Sequence, residues 1–159
     1  MLQVKIIVVG KLKEKYLTEG CAEYVKRLAA YCKPAVIEIP ETKLPEQPNA
    51  AQIRQALDSE AKLILDKAKG GEIIALCIEG AMLSSEQLSE QIEKFTNSGV
   101  STLSFVIGSS HGLSDIIKNE AALSLSISKM TFPHQLARLV LLEQIYRALS
   151  ISAGSKYHK

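Results

Sequence analysis

Five short apolar runs alternate with helical stretches along this 159-residue chain, and that alternation leaves few folds open to it. Residues 2–10 are rich in Val and Ile and end in glycine, and residues 35–40 are closed by proline. Residues 72–80 and 100–108 each end in glycine. Over 122–129, Leu123, Leu125 and Ile127 alternate with Ser124, Ser126 and Ser128. A period of two is the mark of a strand. Between these runs, Leu17, Cys21, Tyr24, Val25 and Leu28 recur at helical spacing over 17–31. Pro45 and Pro48 mark a loop ahead of a helix over 50–68. Ser84-Ser85-Glu86-Gln87 fits a capping box, which predicts a helix from there to Thr96. Ser114-Asp115 starts a short helix ending near Ala121. Thr131-Phe132-Pro133 opens a last helix over 134–151, with Pro133 in the first turn, where its missing N–H costs nothing. Strands alternating with helices predict an α/β fold, a mostly parallel sheet with helices on both faces.

The length suits a single domain spanning 1–159. Apolar residues at 47% and charged residues at 23% exclude wholesale disorder. No apolar run nears the ~20 residues of a membrane span, and the N-terminus reads straight into the first strand with no cleavage signal. Three cysteines (Cys21, Cys32 and Cys77) without C-x-x-C spacing argue against a disulfide framework or a zinc site. They read as buried thiols of a cytoplasmic protein. Charge is unevenly placed. Residues 129–159 carry Lys129, Arg138, Arg147, Lys156 and Lys159 against Glu143 alone, whereas the rest of the chain is slightly acidic. That segment is either a solvated face with a frayed tail or a surface that attracts phosphates.

Ligands of parallel α/β sheets bind at the carboxyl ends of the strands. Those ends are Gly10-Lys11, 76–80, 108–112 and 128–131. Gly108-Ser109-Ser110-His111-Gly112 is a small-residue turn, and neither the G-x-G-x-x-G fingerprint nor a G-x-x-x-x-G-K-[ST] loop occurs. The turn is either a tight strand–helix link with glycines at positive φ or a place where backbone closely approaches a flat ligand. His111, His134 and His158 have no metal-ligand spacing, so no metal is expected. Glu143 and Arg147, four apart, read as a helix-stabilising pair of ~0.3–0.5 kcal/mol. The last helix is apolar nearly all round (Leu136, Ala137, Leu139, Val140, Leu141, Leu142). It is therefore either sandwiched in the core or in contact with a second subunit.

Several blocks of the chain resemble one family. They are Ser126-Ile127-Ser128-Lys129-Met130-Thr131-Phe132-Pro133-His134-Gln135, then Arg138, then 142–148 (L-E-Q-I-Y-R-A), and finally Tyr157-His158-Lys159. Together with Val9-Gly10-Lys11-Leu12-Lys13-Glu14-Lys15-Tyr16 and Leu83-Ser84-Ser85-Glu86, they resemble the RlmH family of small SPOUT-class methyltransferases. The resemblance spans the chain. It implies a homodimer that uses S-adenosyl-L-methionine to methylate N3 of a pseudouridine in a subunit-interface stem-loop of 23S rRNA, on the large subunit or the assembled ribosome. It also implies a C-terminal trefoil knot within a cofactor-binding part over 72–159. Carried over position by position, it puts Leu76, Gly108, Ile127, Ser128, Lys129, Met130, Thr131 and Phe132 at the cofactor. The reaction it implies needs a general base for the N3 proton, with Tyr157, His158 and His134 as candidates. Lys11, Lys129, Arg138, Lys156 and Lys159 are expected to meet RNA. One departure is Ser109, where the family usually has a glycine. Two other readings compete: a SPOUT enzyme with a different RNA base as its target, and a ribosome-associated RNA-binding protein without catalysis.

Overall fold

The computed structural model describes residues 1–158; the expected RNA contact Lys159 lies outside the described residues. Five strands form one parallel sheet: β1 (Gln3–Val9), β2 (Lys33–Ile39), β3 (Glu72–Met82), β4 (Thr102–Ile107) and β5 (Leu123–Ser126), in the order β2-β1-β4-β3-β5. Parallel neighbours need crossovers, and the helices supply them. These are α1 (Lys15–Leu28), α2 (Ala50–Ala68), α3 (Ser85–Asn97), α4 (Asp115–Glu120) and α5 (His134–Ser152), followed by a 3-10 turn, Lys156–His158.

The sheet is buried on both faces, as a parallel sheet must be. On one face, Ile6, Val8, Leu103, Phe105 and Ile107 pack with Leu28 of α1, Leu88 and Ile92 of α3, and Leu141, Leu142 and Ile145 of α5. On the other, Ile7, Val9, Ala75 and Val106 meet Ala61 and Ile64 of α2 and Ile117 of α4. The expected α/β class and helix placement hold. The predicted cap at Ser84 is a full capping box with Gln87, and Asn49 forms a second with Gln52 ahead of α2.

Several boundaries differ from expectation. α1 ends at Leu28, because Tyr31 N and Cys32 N turn back to the Leu28 carbonyl. β5 stops at Ser126, because the Ser126 hydroxyl donates to the Ser128 carbonyl (3.0 Å) and Ser128 Oγ accepts from Met130 N (3.0 Å). Such local serine bonds compete with a ladder. Pro133 is the N-cap of α5 and lies one residue outside the first turn.

The third strand does not end at Gly80. It pairs with β5 as far as Leu76 opposite Leu125, loses register, and resumes with Ala81 opposite the same Leu125. Residues 77–80 are therefore lifted out of the ladder. Gly80 permits the crossing: a Cβ there would stand 2.7 Å from the Ser124 carbonyl carbon and 2.8 Å from Leu125 backbone atoms.

Every residue over 134–151 is buried or half-buried. α5 is sandwiched against α1, α3 and β4, which accounts for its all-round apolar character. Arg138, expected at RNA, is only 5% exposed. Its guanidinium donates to Glu38 Oε2 of β2 (3.1 Å) and to the Gly10 carbonyl (3.1 Å). With its guanidinium bonded in this way, Arg138 joins α5 to the ends of β1 and β2 and has little exposed surface left for the expected RNA contact. Removing one partner of a buried pair costs about 3–5 kcal/mol. Because Glu38 is 40% exposed and can rehydrate, Arg138→Ala is expected to cost about 2–3 kcal/mol. Urea unfolding checks this, and a loss below about 1 kcal/mol would reject it.

Candidate active site

A cleft of about 690 Å³ opens at the carboxyl ends of β3, β4 and β5, where the sheet topology places ligands. Three segments build it. The first is the out-of-register stretch Leu76-Cys77-Ile78-Glu79. The second is the turn from Ile107 to Leu113, with Lys118 beyond it. The third runs from Ser126 through Pro133 into His134 and Ala137 of α5.

The turn after β4 is held by backbone. Ser109 accepts from Gly112 N (2.9 Å), and the two residues form an isolated antiparallel bridge. A Cβ on Gly108 would collide with the Gly112 carbonyl oxygen and stand 2.5 Å from its carbon. Gly112 has φ +89°. Gly112 serves positive φ, and Gly108 serves close packing against the Gly112 backbone within the turn at the cleft wall. Ser109 needs no left-handed backbone, since among the described residues only glycines have positive φ. Serine in place of the family's glycine imposes no backbone strain.

Of the expected cofactor residues, Leu76, Gly108, Ile127, Ser128, Met130, Thr131 and Phe132 all line the cleft. Lys129 does not; it is exposed and turned outward. His134 lines the cleft at the start of α5. Lys11 and Lys156 are exposed. Cys77 and Glu79 line the cleft within the 76–80 strand end already expected to meet a ligand, whereas Lys118 and Ala137 line it without having been expected. Nothing in the sequence singles out Lys118.

Tyr157 and His158 lie away from this chain's own cleft, docked against α5. Glu143 Oε1 accepts from Arg147 Nη2 (2.6 Å), Arg147 Nε (3.0 Å) and the Tyr157 hydroxyl (3.2 Å). The Arg147 guanidinium lies 4.8 Å over the Tyr157 ring, which packs edge-on against Tyr146. Arg147 Nη1 donates to His158 Nδ1 (3.3 Å), so Nε2 carries the ring proton and donates to Glu86 Oε1 (2.6 Å). Glu143 and Arg147 are mostly buried, at 19% and 26% exposed, and they do more than brace a helix face: they anchor the tail. The hydrogen bond with Tyr24, aided by desolvation and the Glu143 charge, pushes the Tyr157 phenol up to about 12. In this arrangement the Tyr157 hydroxyl is a hydrogen-bond donor to Glu143.

The cysteines divide by environment. Burial raises the Cys21 thiol, with Arg138 opposing, and raises Cys32 to about 11. Cys77 is half-buried in the cleft, so it is not the buried thiol expected. In the native protein a thiol reagent should modify Cys77 alone, and all three should react after unfolding. Native modification of Cys32 would contradict this burial.

The cleft fits an adenosine-bearing cofactor. Its size falls within the ~300–1,000 Å³ of small-molecule sites, and apolar walls with a few polar groups are what such sites use. Leu76, Ile107, Ile127 and Phe132 supply apolar surface beside backbone and serine polar groups. Among the described residues no cluster of metal-ligating side chains occurs, and no helix is long and apolar enough to cross a membrane.

Residues 2–158 match the family described as "Predicted SPOUT methyltransferase". The chain belongs to the SPOUT methyltransferase family. Membership implies the C-terminal trefoil knot, which prior expectation alone would have set aside because knots are nearly absent from proteins. A Bacillus cytotoxicus protein named "Ribosomal RNA large subunit methyltransferase H" is 50% identical over 99% of this chain and 100% of its own length. A Pelotomaculum thermopropionicum protein of the same name is 46% identical over 99% of each chain. A "Probable Methyltransferase" from Bordetella pertussis is similar in structure, with TM-score 0.60 and 14% identity over 93% of this chain and 95% of that one. At that identity the likeness concerns the fold alone.

Proposed function

We propose that this protein transfers a methyl group from S-adenosyl-L-methionine to N3 of a pseudouridine in a subunit-interface stem-loop of 23S rRNA. It acts as a cytoplasmic homodimer on the large subunit or assembled ribosome. The observation that carries this reading is the full-length identity of about half to proteins named for ribosomal RNA methylation, coupled to a cleft lined by the residues expected at the cofactor. The reading treats residues 1–159 as one domain, with the cofactor held by the part over 72–159.

S-adenosylmethionine supplies an activated methyl group when bound. The chain's own residues then need to position and desolvate. Ile127 and Phe132 would flank the adenosine, and the turn at Gly108 would bring backbone donors and acceptors close to it. The N3 proton must leave as the nitrogen attacks, so a base is needed within hydrogen-bond reach. His134 lies in the cleft and is the candidate base that the chain's own site would use. The docked tail presents Tyr157 and His158 away from its own cleft, so it can serve only a partner subunit's site. Its phenol would orient the base, and His158 could accept a proton once released from Glu86. Leu136 and Val140 of α5 are half-buried and would supply apolar surface for such a partner. Lys11, Lys129 and Lys156 are exposed and suited to phosphates, with Lys159 as a further expected contact.

Mass spectrometry of rRNA nucleosides after incubation with the protein and labelled cofactor tests the activity. The expected product is a single labelled methyl-pseudouridine, formed faster on assembled ribosomes than on naked 23S rRNA. A label on another base would reject the assigned target, and equal rates on naked RNA would reject the ribosome as substrate. Cofactor binding without label transfer would favour a binding protein.

A further inference from the structure

Apart from two imidazoles, the cleft has two ionisable charges on its walls, Glu79 and Lys118. They come from separate elements. Glu79 sits where β3 leaves register with β5, and Lys118 is on α4. Their side chains meet at 2.5 Å, Nζ to Oε1, with exposures of 61% for Glu79 and 30% for Lys118. Each perturbs the other: the shared hydrogen bond lowers the Glu79 carboxyl and raises the Lys118 ammonium from their ordinary values. An ion pair this exposed adds little to folding, so stability is a weak reason for placing one at a ligand cleft.

We propose that this pair binds the amino-acid end of the cofactor, with Lys118 taking its carboxylate and Glu79 its ammonium group. The assignment rests on the methyltransferase reading above. S-adenosylmethionine carries opposite charges on one carbon at its amino-acid end. Set head to tail against an ion pair, that zwitterion places each charge beside its opposite and buries no net charge. The other parts of the cofactor use only half of the pair. A ribose diol could donate to Glu79 but has no need of an ammonium, and the sulfonium could face Glu79 but would be repelled by Lys118. The adenosine is suited to the apolar walls at Leu76, Ile127 and Phe132 instead.

Calorimetry with two uncharged-sulfur analogues separates these ends. S-adenosylhomocysteine keeps the amino-acid group, and 5′-methylthioadenosine lacks it. Lys118→Met and Glu79→Gln are each expected to weaken S-adenosylhomocysteine about 10-fold, the scale of one charged hydrogen bond. Both should leave 5′-methylthioadenosine within about twofold, which also shows that the cleft is folded. Lys118→Arg should recover most of the loss. Equal weakening of both ligands would put the pair at the adenosine end and overturn the assignment, as would unchanged S-adenosylhomocysteine binding. If the unaltered protein bound neither nucleoside, the cofactor reading itself would fall, and this assignment with it.

Discussion

Gly108→Ala should lower affinity for S-adenosylmethionine by about 100-fold or more, equivalent to about 2.7 kcal/mol. The cause is steric and local. The new methyl group would collide with the Gly112 carbonyl oxygen, which is backbone inside a turn closed by the Ser109–Gly112 bridge. The turn can relieve the overlap only by opening, and opening displaces the cleft wall between Ile107 and Leu113. Ser109→Gly next to it should change affinity less than twofold, because Ser109 does not use positive φ. Calorimetry on the two variants decides the point: equal behaviour would mean that the turn is pliable and Gly108 is not a close-packed wall.

Deleting 157–159 is expected to reduce methylation of ribosomes by about 100-fold or more, within the range for loss of general acid–base assistance. Cofactor affinity should stay within about threefold, because neither Tyr157 nor His158 lines the chain's own cleft. His134→Ala provides the comparison. If the tail supplies the base, His134→Ala retains substantial turnover and the deletion does not; the reverse ranking assigns the proton to His134. Tyr157→Phe keeps the ring against Tyr146 and Arg147 but removes the hydroxyl bonds to Glu143 and Tyr24. It should fall between wild type and the deletion. Wild-type turnover in the deletion would remove the tail from the mechanism.

Most of the cleft is legible in the sequence. Strand ends in a parallel sheet are few, and the runs ending near Leu76, Gly108 and Ser128 identify three of them. The resemblance of 126–135 to one family then selected among them. Residues that reach the cleft through tertiary geometry were harder to find. Glu79 lies in the expected 76–80 strand end, but its meeting with Lys118 depends on β3 leaving register where Gly80 lets it pass close to β5. Lys118 lies on a short helix whose sequence carries no ligand signal. Arg138 matched a family motif and a basic segment, and both suggested phosphate. Its burial beside Glu38 became visible only when β2 and α5 were brought together.

The charge count of the last segment was likewise correct and incomplete. It shows five basic residues from Lys129 onward but cannot separate an exposed lysine from a buried arginine, because solvation depends on neighbours distant in the chain. Local sequence pattern determined the α/β class with its parallel sheet and the helix cap at Ser84, since periodicity and capping depend on residues close together in the chain. Tertiary structure decided which face α5 buries, where β3 leaves register, that Glu79 meets Lys118, and that the tail folds onto Glu143, Arg147 and Glu86. Each of these depends on contacts between segments far apart in sequence, whose energies no local pattern encodes.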